Sequence, residues 1–308
     1  MTDIFLNGIV TRLQAGFYLV KTERNTLTCK LRGRLKQNRK MEDLVAVGDQ
    51  VLVNLIGDGN GVIEEIYERK RALVRMAPTT RGTYKQILLA NPDQTTFVFA
   101  CADPEPSLRM LDRFLVIAEK QKIEALIVAN KVDLIGEQKA DEIFSPYTKI
   151  GYPVIYTSAK KEIGLQELLA NLEGKLSVLA GPSGVGKTSL LNKLHPGLGL
   201  EVCTVKESSG KGRHTTVVRE LFMLDENSYV ADLPGIRQLS IWDIEPEELD
   251  GYFCEFRDLV SECHFGNCSH INEPNCAVKN AVRIGNVSEA RYDSYVRLRK
   301  EIKETKRY

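Results

Sequence analysis

Hydrophobic positions change period along the chain. Residues 8–10, 17–20, 26–31, 50–53 and 61–63 are short apolar or alternating runs separated by Gly, Asn and Asp turns. Within the third run Thr28, Lys30 and Arg32 alternate with Cys29 and Leu31, the two-residue period of a half-buried strand. Five such strands in one stretch predict a small antiparallel barrel of the OB kind. From about residue 76 the pattern switches. The continuous apolar runs 96–100, 125–129, 153–156 and 177–180 predict buried strands. Helical patterns lie between them at 107–120, 138–148 and 165–173. The first carries Leu108, Leu111, Leu115 and Ala118 on one side, with Ser107 as N-cap. Strands alternating with helices predict a parallel α/β sheet. After Asp232 a short Cys/His-rich segment leads to a charged helix from about 288.

Composition changes this picture little. The chain has 308 residues, 43% hydrophobic and 27% charged, as in ordinary globular domains. No apolar run reaches the ~18 residues of a spanning helix, and the first residues lack a basic segment followed by an apolar one, so a membrane or secreted protein is not expected. Charge is more informative. The net +1 resolves into +4 for residues 1–75, −7 for 76–282 and +4 for 283–308. Basic ends flanking an acidic centre suit a polyanion-binding protein with a separate catalytic core. Lys30, Arg32, Arg34, Lys36, Arg39 and Lys40 predict a strip on the barrel for nucleic-acid phosphates.

Residues 181–188 read G-P-S-G-V-G-K-T, following an apolar strand and opening a helix. This is a phosphate-binding loop: Gly181, Pro182, Ser183, Gly184, Val185 and Gly186 let backbone N–H groups curl around phosphate at a helix N-terminus. Lys187 reaches the β- and γ-phosphates, Thr188 offers a hydroxyl to Mg²⁺, and Ser189 continues the cradle. Asn130, Lys131, Val132 and Asp133 end the strand 125–129. The Asp133 carboxylate accepts hydrogen bonds only, which suits the paired donors of guanine and leaves adenine unsatisfied. Ser158, Ala159 and Lys160 form a second base loop. Asp232 and Gly235, in D-L-P-G, are expected at the Mg²⁺ shell and the γ-phosphate. One of Thr215 and Thr216 completes that shell, with Thr216 the choice.

Usual GTPases order these motifs as phosphate loop, threonine, D-x-x-G, N-K-x-D, S-A-K. Here N-K-V-D at 130 and S-A-K at 158 come first, a circular permutation joined through Gly174. Cys263, Cys268, His270 and Cys276 supply three thiolates and an imidazole, the donor set of a closed structural zinc site. His264 is left out, because consecutive residues rarely aim at one metal. Cys29, Cys101, Cys203 and Cys254 are read as core fillers. Together these features resemble the ribosome small-subunit-dependent GTPase A (RsgA/YjeQ) family over essentially the whole chain.

The resemblance implies an OB-fold RNA-binding domain at 1–75, a circularly permuted P-loop GTPase domain at 76–238, and a zinc-binding domain with a basic helix at 239–308. It implies a cytoplasmic, monomeric GTP hydrolase with one zinc, and magnesium with GTP. Its partners would be the small ribosomal subunit and its rRNA, with turnover stimulated by the subunit and coupled to late maturation and release. Ile236 stands where Ras-type enzymes place their water-orienting glutamine. His214 is the expected replacement, with Gln238 behind it; Lys187 and Thr216 complete the catalytic set. Two other readings are an RNA-binding scaffold with incidental turnover and an ATP-using enzyme, the latter opposed by Asp133.

Overall fold

A computed structural model describes residues 4–14, 16–37, 43–79, 82–198, 220–232 and 243–305. The first five strands are β1 (Ile4–Gln14), β2 (Phe17–Thr22), β3 (Thr26–Leu31), β4 (Gln50–Gly57) and β5 (Asn60–Ile66). They close in the order β1-β2-β3-β5-β4. All pairings are antiparallel except β3 with β5. The alternation read in the sequence places Leu27, Cys29 and Leu31 inside with Val10, Val20, Val51, Val53 and Ile63. Thr28, Lys30 and Arg32 face out. The basic strip is partly neutralised: Arg32 and Arg34 both reach Glu64, at 3.3 and 3.4 Å. Lys30 lies 5.2 Å over the exposed Phe17 ring. Arg39 and Lys40 fall outside the described residues.

A hairpin that the hydrophobic pattern did not reveal follows, β6 (Ala72–Thr79) with β7 (Gly82–Ala90). It is a separate two-stranded sheet and straddles residue 75. Then come β8 (Gln94–Ala100), α1 (Leu108–Gln121), β9 (Glu124–Asn130), α2 (Glu137–Lys149), β10 (Val154–Thr157), α3 (Leu165–Leu172), β11 (Leu176–Ala180), α4 (Lys187–Leu194), β12 (Phe222–Met223) and β13 (Tyr229–Asp232). The sheet order is β10-β9-β8-β11-β13-β12, parallel except for the edge strand β12. Continuous apolar runs are needed because both faces are covered. Phe97 and Phe99 pack with Leu111, Phe114 and Phe144 on one face, while Val98 and Ala100 pack with Leu168, Leu190 and Leu191 on the other. Ser107 sits at the N-cap of α1, yet only its carbonyl is used, accepting from the N–H groups of Met110 and Leu111.

The chain builds β8, β9 and β10 outward to one edge, then returns through α3 to set β11 on the other side of β8. The reversal leaves a crevice at the carboxyl ends of β8 and β11, where open α/β sheets bind ligands. Only residues 173–175 join α3 to β11. Gly174 turns there at φ +68°, and its N–H donates to Ser228 Oγ at 2.8 Å. The barrel is stitched to this sheet: the Leu221 N–H donates to the Thr11 carbonyl at 2.7 Å, and Arg12 pairs with Glu220.

The C-terminal part contains α5 (Arg257–Val260), α6 (Ala277–Arg283) and α7 (Glu289–Thr305) around Phe253, Phe256 and Tyr295. Its core includes Val116 of α1, so that helix is buried on two sides. Arg291 of α7 is 2% exposed and does not belong to the basic surface of its helix. It donates to Asp112 at 2.8 Å and to Glu255 at 2.7 and 2.9 Å, and stacks 4.6 Å over Phe253. No described helix is long and apolar enough to cross a membrane.

Candidate functional site: a nucleotide cleft and a metal knot

The phosphate-binding loop connects β11 to α4. Gly184 and Gly186 adopt φ of +81° and +95°, conformations that side chains resist. A Cβ on Gly181 would lie 2.1 Å from the Val98 carbonyl oxygen, so only glycine lets the loop cross β8 this closely. Lys187 folds into the loop, its Nζ donating to the carbonyls of Gly181 and Pro182 at 2.9 and 3.0 Å. Burial lowers its pKa, opposed by Asp232. Burial raises that of Asp232, opposed by Lys187. Asp232 ends β13, level with Leu179 of β11. Its Oδ1 is buried with no hydrogen-bond partner among the described residues.

Asn130 joins three segments. Its Nδ2 donates to the Val185 carbonyl at 2.8 Å, across 55 residues. Its Oδ1 accepts from Thr157 Oγ1 at 3.1 Å and from the Ala159 N–H at 3.3 Å. One buried amide therefore fixes the phosphate loop and both base loops. Ser158 Oγ donates to Asp133 Oδ1 at 2.6 Å, orienting the carboxylate. Lys131 turns at φ +62° and donates to the Asp103 carbonyl. Val132 is 1% exposed and packs in the core.

These segments enclose a cleft of ≈ 640 Å³, within the size range of small-molecule sites. Asn130, Lys131, Asp133, Ser158, Ala159 and Lys160 line one side, Gly186 and Ser189 the other. Asn192, Lys193 and Pro196 extend the second wall. The phosphate-loop motif ends at Ser189; Asn192 and Lys193 share its wall through their i+3 and i+4 spacing from it on α4. His214, Thr215, Thr216, Gly235, Ile236 and Gln238 lie outside the described residues.

The second constellation is local. The ligand atoms of Cys263, Cys268, His270 and Cys276 all lie within 4.8 Å of one another, so the four could hold a metal ion. His270 Nδ1 is 3.5 Å from Cys263 Sγ and 3.4 Å from Cys276 Sγ. Asp250 Oδ2 stands 3.1 Å from His270 Nε2 and, by accepting that N–H, leaves Nδ1 free to ligate. No spacing rule pointed to Asp250. Cys276 Sγ also accepts the Lys279 N–H at the start of α6. Glu273 braces the loop by accepting from the N–H groups of Ser269, Ile271 and Asn272. His264 instead sits edge-on to Phe265. Cys29 and Cys101 are buried and Cys254 half-buried; Cys203 is outside the described residues.

Comparison with known proteins gives the chain's family. A family model described as RsgA N-terminal domain matches residues 7–63, and one described as RsgA GTPase matches residues 66–242. The small ribosomal subunit biogenesis GTPase RsgA of Gemmatimonas aurantiaca is 42% identical, over 96% of this chain and 97% of its own. The protein of that name from Thermotoga neapolitana is also 42% identical, covering 96% of each. Among solved structures, YjeQ from Thermotoga maritima superposes with a TM-score of 0.79 at 40% identity, covering 97% of this chain and 99% of that one. YloQ, described as a circularly permuted GTPase, gives 0.76 at 34% identity over 98% and 96%. Motif order, strand order and these relatives agree: the chain belongs to the RsgA family of circularly permuted GTPases.

Proposed function

We propose that this GTPase acts on the small ribosomal subunit, binding it and its rRNA in the cytoplasm as a monomer and coupling GTP hydrolysis to late maturation and its own release. The relatives' names support the ribosomal role. The observation that carries the nucleotide chemistry is Asn130, which ties the base-reading Asp133 loop to the phosphate loop. In this reading Asp133 accepts the two guanine donors, and Lys131 and Ala159 flank the base. The N–H groups of 181–186 and the Lys187 ammonium take the phosphates. Lys187 leaves the loop carbonyls to do so, and the charge it meets offsets the cost of its burial. Thr188, Thr216 and Asp232 would hold magnesium, and the unpartnered buried Asp232 Oδ1 fits that role. The ion, when bound, neutralises developing phosphate charge.

The knot fits zinc. Tetrahedral bonds of about 2.3 Å to sulfur and about 2.0 Å to nitrogen give S···S of ~3.8 Å and S···N of ~3.5 Å. The observed 3.9 Å between Cys263 and Cys276 Sγ, and the 3.4–3.5 Å from His270 Nδ1, match. Four protein ligands leave no position for water, so the role is structural. The domains at 1–75, 76–238 and 239–308 then divide RNA binding, GTP hydrolysis and zinc binding.

Turnover with and without purified small subunits, and co-sedimentation in GTP-analogue and GDP states at two salt concentrations, test the ribosomal role. Stimulation and salt-sensitive binding are expected; equal turnover without any binding would refute it. His214→Ala is expected to slow hydrolysis at least about tenfold with nucleotide affinity nearly unchanged, which separates transition-state from ground-state contacts. Asp133→Asn is expected to move preference from GTP toward xanthosine triphosphate, which presents an acceptor where guanine has its amino donor; competition binding reads the change.

A further inference from the structure

Helices α1 and α7 come from the GTPase sheet and the C-terminal domain, and a groove of ≈ 460 Å³ runs between them. Its floor is Met110, Phe114 and Leu298; its rim is Arg109, Arg113, Arg297 and Glu301. Arg113 is engaged by Glu301, at 2.8 Å for one of the two hydrogen bonds. Arg109 and Arg297 are exposed and have no acidic partner among the described residues. Neither residue figures in the nucleotide or metal constellation. The groove is also pre-shaped, because the buried Arg291–Asp112 pair locks the same two helices together beneath it. A ligand would not have to supply the energy of ordering them.

We propose that this groove docks an acidic, amphipathic polypeptide segment of the particle on which the protein works, an inference that rests on the ribosomal reading above. Two unpaired guanidinium groups over an apolar floor complement carboxylates flanking aliphatic side chains, the helix-in-groove or extended-anchor mode of peptide recognition. Arg109 and Arg113 belong to the stretch 76–282, of net charge −7, and Arg297 to the stretch 283–308, of net charge +4. RNA fits less well. The one aromatic residue of the floor, Phe114, is 1% exposed and offers no face for a base to stack on.

The test uses the full chain with a photoreactive benzoylphenylalanine in place of half-buried Met110. In a second variant it replaces exposed Asp293, one turn before Arg297, which guards against misfolding at Met110. Each is bound to purified small subunits with a non-hydrolysable GTP analogue and irradiated. The expected product is a crosslink to a ribosomal protein that survives ribonuclease and maps by mass spectrometry to an Asp/Glu-rich peptide. Combining Arg109→Glu with Arg297→Glu should lower its yield at least fivefold while intrinsic GTP turnover stays unchanged. Several results would overturn the site: a ribonuclease-sensitive crosslink to rRNA, a crosslink to a second copy of this chain, no crosslink from a variant that still co-sediments, or a yield indifferent to charge reversal. Failure of the unaltered chain to co-sediment would instead remove the ribosomal reading, and this occupant with it.

Discussion

The Cys/His knot, which could hold a metal ion, draws its four side chains from residues 263–276, whereas the cleft draws its lining from residues spread between 103 and 196. Between residues 261 and 276 only Cys268, His270 and Cys276 are buried, so the knot's loop meets the apolar core through its own cluster and little else. Its turns place His270 and Asn275 at φ of +61° and +54°, and its thiols gather around one point. The cleft is held by a two-faced core under the sheet and by the buried Asn130 amide. One site is therefore expected to depend on its ligand for shape, and the other to keep its shape without one. Arg291 is the strut that ties the C-terminal part to the sheet domain, because it bonds α7 to Asp112 of α1 and to Glu255.

Removing the metal is expected to have the largest effect. Structural zinc contributes on the order of 10 kcal/mol to the folding of small metal-dependent units. Chelation, or Cys268→Ser, should abolish hydrogen-exchange protection around 263–283, while nucleotide affinity measured by titration changes less than about threefold. Equal loss at both sites would show that the comparison is wrong. Arg291→Ala comes next. It leaves two buried carboxylates unpaired and should cost about 3–5 kcal/mol in denaturant unfolding. Burial already pushes Asp112 above the usual carboxylate range, against the pull of Arg291, so Asp112→Asn in the same chain should recover part of the loss. No recovery would remove the strut from the account. Gly186→Ala sharpens the contrast from the cleft side. Its φ is +95° and the new Cβ would lie 2.4 Å from Asn130 Nδ2. Nucleotide affinity should fall at least about 100-fold, worth ~2.7 kcal/mol, with metal content unchanged.

Chemistry that depends on neighbours in the chain was legible early. A phosphate cradle needs glycines, a lysine and a helix start in succession, and 181–188 supply them. Alternation in 26–31 was enough to orient β3, since one side had to face the barrel interior. The Gly174 joint could be inferred because only a few residues separate a helical pattern from a strand pattern. Other features escaped for a common reason: their partners lie far away in sequence. Arg291 reads as one more basic residue until Asp112 and Glu255 surround it, and Arg32 and Arg34 read as free until Glu64 meets them. Asp250 carries no spacing signature, because it touches the knot only through His270. The hairpin of β6 and β7 was missed because its strands pair with each other outside both sheets.

The sequence by itself determined the strand and helix alternation, the glycine-rich loop that opens α4 and the gathering of three cysteines and a histidine in one short segment, since each follows from backbone preferences or donor chemistry within a short segment. Only the tertiary structure decided that Asn130 would reach Val185, that Arg291 would be buried between two domains, and that α1 and α7 would leave an arginine-rimmed groove. Those outcomes depend on which distant surfaces pack together, and burial then sets whether a charge is a contact for a partner or a strut within the molecule.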